Sequence, residues 1–250
     1  MDVTRRLVGA FIIALFAVGV IEANVDIHQN NSPSKHRAKH LLADTPSLRL
    51  HVMLKAKSMR IHGQSVFEIF AKPAVSVDGA GILYNGFATF VQDDKRFTYM
   101  LVDGASYVVE SVGNATTSAA TQTVRCLKSL TPFDSIISAL NTVQAIPSSL
   151  VNDEAIYCPS GTLLQTSTPF GGVDFTFCAS ARLGFIAYGG DITVAIEYPE
   201  SPLQIIAAPP LNDGSTHCAT VASATSVTPI AFALLTGDSD ASTCPYHEGC

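Results

Sequence analysis

From Leu48 to Lys57 the chain reads LRLHVMLKAK. Leu48, Leu50, Val52, Leu54 and Ala56 fall on one face, and Arg49, His51, Met53, Lys55 and Lys57 on the other. A strict period of two is the pattern of a half-buried β-strand, because successive side chains of a strand point to opposite faces. The pattern recurs down the chain. VFEIFA (66–71), GILYNGFATF (81–90), RFTYMLV (96–102) and SYVVES (106–111) follow, parted by the turn signals VDGAG, QDDK and DGA. Connections this short join antiparallel neighbours. Further on, TLLQTS (162–167), VDFTFCA (173–179), GFIAYG (184–189), DITVAIEY (191–198) and LQIIAA (203–208) are strand candidates. With 250 residues, 47% hydrophobic and 14% charged, the chain has enough apolar side chains for a real core in one domain or at most two.

One stretch breaks the rhythm. LTPFDSIISALNTVQAIPSS, 130–149, places Phe133, Ile136, Ile137, Leu140 and Val143 on one helical face. Thr131 is a capping residue, Pro132 fits a first helical turn, Asp134 sits near the positive end of the dipole, and Pro147 is a stop. A lone helix among strands predicts an α+β fold: a strongly bent antiparallel sheet of about ten strands, a half-barrel wrapped around one central amphipathic helix. A β-sandwich with one crossover helix competes with it. In the half-barrel, Phe67, Phe87, Phe97, Tyr99, Ile136, Leu140, Phe175 and Phe177 are the candidates to line an apolar cavity. If the aromatic members instead fill the space, no ligand fits.

Residues 1–23 pair Arg5 and Arg6 with an apolar run and a small residue at Ala23, the layout of a secretory signal peptide; the run is shorter than a membrane-spanning helix needs. The expected organisation continues with a disordered polar lead (24–47), the sheet-and-helix domain (48–210) and a flexible Ser/Thr/Ala-rich tail (211–250). Export to an extracellular, oxidising compartment makes disulfides of Cys126, Cys158, Cys178, Cys218, Cys244 and Cys250. The favoured pairing is Cys126 with Cys158, clasping the helix, then Cys178 with Cys218 and Cys244 with Cys250. The alternative joins Cys158 to Cys178 and Cys126 to Cys218. Asn30 and Asn114 head glycosylation sequons.

The order of elements over 48–208 resembles the LolA-like half-barrel of bacterial periplasmic lipoprotein carriers, which implies a sheet enclosing helices around a cavity for acyl chains. RCLKSLTPFDSIISALN, IPSSLVNDEAIYCPSG and FGGVDFTFCASARLGF are similar to stretches of cysteine-bearing secreted proteins of oomycetes. That likeness implies a source class and no chemistry. Arg37-Ala38-Lys39-His40 departs from the Arg-x-Leu-Arg signature of host-entering effectors.

No catalytic constellation emerges. Gly104-Ala105-Ser106-Tyr107-Val108 lacks the second glycine of a nucleophile elbow. Asp93-Asp94 and Asp153-Glu154 are turn acids. His28, His36, His40, His51 and His62 belong to the lead or an early polar face, leaving His217 and His247. Cys244, His247 and Cys250 have metal-like spacing, but export favours a disulfide, so no metal and no cofactor is expected. The basic residues between Lys35 and Arg60 lack the aromatic interleaving of single-strand nucleic-acid binders, so no nucleic acid is expected. The function expected is that of a secreted, non-catalytic, non-membrane-spanning binding protein holding a lipid or other apolar ligand. The alternative is a secreted interaction or effector-like protein with a filled core, meeting a host or cell-surface protein.

Overall fold

The computed structural model describes residues 42, 44–113, 121–128, 136–147, 150–151, 154–159, 162–167, 173–179, 184–201, 203–216 and 218–237. The alternating segments become strands as their pattern dictates: β1 (Leu48–Leu54), β2 (Val66–Val75), β3 (Ile82–Gln92), β4 (Lys95–Val102) and β5 (Ala105–Val112). β6 (Thr121–Cys126) and β7 (Val143–Ile146) were not legible as strands. β8 (Leu150–Val151) and β9 (Glu154–Ala155) form a separate two-stranded ribbon. β10 (Leu163–Thr166), β11 (Thr176–Ala179), β12 (Phe185–Gly189) and β13 (Ile192–Glu197) complete the set.

Eleven strands form one antiparallel sheet in the order β6-β5-β4-β3-β2-β1-β13-β12-β11-β10-β7. Two meanders of neighbouring hairpins, β1 to β6 and β10 to β13, meet where β1 pairs with β13, Leu50 opposite Ile196 and Val52 opposite Val194. Asp93 and Asp103 take left-handed conformations (φ 56 and 50) in the tight turns after β3 and β4. Asp93-Asp94 thus serves a turn, as its sequence implies.

The pleat sorts residues onto two faces. Leu48, Leu50, Val52, Leu54, Ile69, Ala71, Tyr84, Ala88, Phe90, Leu164, Phe177, Phe185, Ala187 and Ile196 are buried together on the inner face. Two short helices cover it, α1 (Ile136–Leu140) and α2 (Pro229–Thr236). They contribute Ile137 and Leu140, and Ala231, Leu234 and Leu235, to the same core.

This corrects the fold expectation. The sheet is not wrapped around one central helix, and the helix anticipated over 130–147 survives in the described residues only as the five residues of α1. Asn141 explains the early end. Its side-chain amide donates to the carbonyl of Ser226 (2.7 Å) and accepts from the N–H of Thr228 (2.8 Å), so it is fixed to a distant segment. Beyond it, Val143 to Ile146 pair with β10, Ala145 opposite Leu164. Tertiary pairing outweighs a weak helical preference. Thr131, Pro132, Phe133 and Asp134 lie outside the described residues.

The stretch expected as a flexible tail is partly built into the fold. Thr220 bridges to Ala105 and Thr225 to Ile82, carrying the chain past the strand ends to the inner face. There Thr228 caps α2 by accepting from Ala231 N–H (3.3 Å), Pro229 opens it and Gly237 ends it in a left-handed conformation (φ 72). Leu42, at the end of the anticipated disordered lead, is buried in the core as well. LQIIAA (203–208) is not a strand; it crosses the outer face without a ladder partner, Ile206 and Leu211 packing against Val102, Tyr107, Val109 and Val124.

The disulfides follow the alternative pairing. Cys126 is bonded to Cys218 and Cys158 to Cys178, each with Cα atoms 5.4 Å apart, so the Cys126–Cys158 clasp and the Cys178–Cys218 bridge do not form. The reason lies in the pleat: Cys126 at the end of β6 and Cys218 in the crossing segment share the outer face. Cys244 and Cys250, like the signal segment 1–23, Asn30 and Asn114, lie outside the described residues.

Candidate functional site

The inner face holds most of the anticipated cavity residues, and they fill it. Phe67 meets Phe90 (ring centroids 4.9 Å), Phe90 meets Tyr99 (5.7 Å), Phe175 meets Phe177 (6.4 Å) and Phe177 meets Phe185 (6.0 Å). Leu140 is buried, and Phe97, Tyr99 and Ile136 pack against the same core. At Gly189 the fit is so close that a Cβ would lie 2.6 Å from the Phe175 ring. These contacts are those of a packed interior.

Phe87 alone of the eight points the other way. On the outer face its ring stacks on Phe70 (5.4 Å), and Arg49 lies over Phe70 at 5.8 Å. Beside this pair runs an open groove of about 590 Å³, lined by Phe70, Phe87, Thr89, Thr98, Met100 and the crossing residues Leu203–Ala207. Its floor is apolar except for the Thr89 and Thr98 hydroxyls, which hydrogen-bond each other at 3.1 Å. The far wall is anchored at one end, where Lys72 Nζ donates to the Leu203 carbonyl (3.1 Å). Ile205 is 85% exposed at its lip. Phe70, Met100 and the wall residues were not among the candidates; alternation marks Phe70 and Met100 only as the face opposite the core.

Next to the groove, the polar residues of β1, β2 and β13 form an ionic ladder. Arg49 donates to Glu68 (2.5 Å), and His51 stands between Glu68 (3.2 Å) and Glu197 (3.1 Å). These are cross-strand neighbours on an exposed face, worth little each.

A second polar cluster sits at the rim of the inner face. His62 was expected on a solvated face, yet it is held: its ring stacks on Phe97 (4.0 Å, 13°), Nδ1 meets Gln92 Oε1 (3.0 Å) and Nε2 meets the Tyr99 hydroxyl (2.9 Å). Burial pushes the Tyr99 phenol above its ordinary pKa. Nearby, Glu110 accepts from Lys95 (2.7 Å) and Arg125 (3.3 Å). The Lys95 hydrogen bond, ahead of other causes, holds the Glu110 carboxyl below its ordinary value and raises Lys95 above its own. The acid is spent on two cations.

Among the described residues, no three His, Cys, Asp or Glu side chains converge as metal ligands would. No described helix is long and apolar enough to cross a membrane. No family model matches the chain, and no curated protein matches it.

Proposed function

We propose that the chain is an exported, non-catalytic binding protein whose recognition surface is the outer-face groove beside the Phe70 and Phe87 pair. The observation that carries this reading is the division of the aromatic residues. Phe67, Phe97, Tyr99, Phe175 and Phe177 are used up by the core, whereas Phe87 and Phe70 border unfilled apolar space. A groove of about 590 Å³ falls in the size range of small-molecule sites, and its lining of two rings, a methionine and two hydroxyls suits an apolar chain or ring with one polar end. Disulfides between distant segments are consistent with an extracellular working place.

The test is titration of the purified protein with a fluorescent fatty acid, followed by extraction and mass spectrometry of protein from a secreting host. Saturable one-to-one binding, lost in Met100→Glu while both disulfides and the circular dichroism persist, is the expected result. No saturable binding and no extractable apolar molecule would overturn the reading. It would leave the filled-core interaction protein, for which the exposed Ile205 at the groove's lip is the supporting observation.

A further inference from the structure

An edge strand offers a row of free N–H and C=O groups to any other strand that approaches. β6 is such an edge of the large sheet, and its side chains at Thr121, Gln122, Thr123, Arg125 and Cys126 are exposed. It carries no proline. Its outward backbone groups are those of Gln122 and Val124, since both are met from outside by one side chain. Asn212 accepts from the N–H of Val124 and donates to the carbonyl of Gln122 (3.3 Å). A side-chain amide has the same donor and acceptor as a peptide unit. Asn212 therefore stands on the edge as a neighbouring strand would.

Twofold geometry makes this contact meaningful. If two copies of β6 ran antiparallel about an axis through Thr123, Gln122 of one copy would face Val124 of the other. The Val124 N–H would then donate to the Gln122 carbonyl of the partner copy, and the reverse. These are the two groups that Asn212 joins. The same register sets Thr123 against Thr123, a favourable cross-strand pair, and Arg125 against Thr121, so no like charges oppose each other. Arg125 is paired, together with Lys95, to Glu110.

We propose that Asn212 is a latch that keeps the chain monomeric by occupying the pairing edge of β6, and that its release exposes a symmetric β6-to-β6 dimer interface. The latch rides on a local device. The turn around it is stabilised by Asp213, which accepts from Ser215 N–H (2.9 Å), and by Gly214 at φ 79. On one side Leu211 packs on the outer face, and on the other Cys218 is bonded to Cys126. Among the described residues, 211–215 make no backbone hydrogen bond to the sheet, so this part of the turn can lift while both anchors stay in place. The proposal does not depend on the groove.

The test uses the full, oxidised chain in sedimentation velocity over a concentration series, with hydrogen exchange read at the Val124 amide. The wild type is expected to stay monomeric with Val124 protected. At low concentration Asn212→Ala should exchange at Val124 faster by on the order of tenfold, the loss of one hydrogen bond. At high concentration it should form a dimer and regain that protection. Gln122→Pro placed in the Asn212→Ala background removes an outward N–H without touching the bonds to β5, and should restore the monomer. Asn212→Asp keeps the acceptor and loses the donor, and serves if the alanine variant does not fold. A folded Asn212 variant that stays monomeric at every concentration overturns the proposal. So does association that survives Gln122→Pro, or assembly into open-ended oligomers.

Discussion

The hydroxyl of Tyr198, just beyond β13, donates to the carbonyl of Leu234 in the last turn of α2. The last four carbonyls of a helix have no partner inside it, so a donor from the sheet both satisfies one of them and pins the helix to the core. Tyr198→Phe keeps the ring and loses the bond. A loss of about 1 kcal/mol in urea unfolding is expected, with little change in the denaturant slope. An unchanged midpoint would mean that the hydroxyl contributes nothing there.

Tyr84 has the opposite problem, since its hydroxyl is buried and has no hydrogen-bond partner among the described residues. Burial, and next to it Tyr198, push its phenol well above the ordinary tyrosine value, and burial does the same to Tyr198. A phenol whose pKa is raised by folding contributes its full stability below the unfolded value, about 10, and loses it as pH rises further, because the unfolded chain releases the proton first. Stability should therefore fall steeply above about pH 10. Tyr84→Phe should shallow that fall and be neutral or stabilising by about 1 kcal/mol at pH 7, the orphaned hydroxyl being gone. Denaturant midpoints between pH 7 and 11 give both answers.

The two kinds of phenylalanine separate by stability. Phe177→Ala opens a hole in the filled inner face and should cost about 3–5 kcal/mol. Phe87→Ala, on the half-exposed groove, should cost about 1 kcal/mol or less. Equal costs would return Phe87 to the core.

Gly104 is the sharpest backbone constraint on the route of the crossing segment. Its φ is +80, and a Cβ there would meet the Ala222 carbonyl oxygen at 2.2 Å. Gly63 has the same φ of +80 but open space around it. Gly63→Ala should cost about 1 kcal/mol, the left-handed penalty alone. Gly104→Ala must also push 220–222 off the sheet end, so a clearly larger loss is expected. Matching thermal shifts would deny the segment its role as a clamp.

Much of the meander was legible. The alternation of β1 and β13 placed Ile192, Val194 and Ile196 on the buried side, and the Asp-Gly turn at 103–104 joined β4 to β5 as its residues demand. What escaped were elements whose reason lies far away in the chain. TQTVRC has polar residues on both faces because it is an edge, and becomes a strand only because β5 needs a partner. VQAI is helical in pattern and extended in fact because β10 lies beside it. PIAFALLT, the true cover of much of the inner face, is too short and too evenly apolar for its period to show. The pairing of Cys126 with Cys218 depends on which face a segment crosses, and the groove on where that segment rests; neither leaves a mark in local sequence.

The position of β1 also sets an order of assembly. Most ladders join strands next to each other in the chain, but Arg49 lies opposite Glu197, so the centre of the sheet is sealed by residues nearly a whole domain apart. A chain emerging from its N-terminus can build the hairpins of β2 to β5 early, while one side of β1 waits. Closure over so long a loop is slow, because its entropy must be lost before the contacts are gained. Until 192–236 arrive, β1 has no second neighbour and the inner face lacks α2. Closure of the sheet therefore waits for 192–236, and a ribosome paused before β13 would hold a half-sheet with an open, adhesive side.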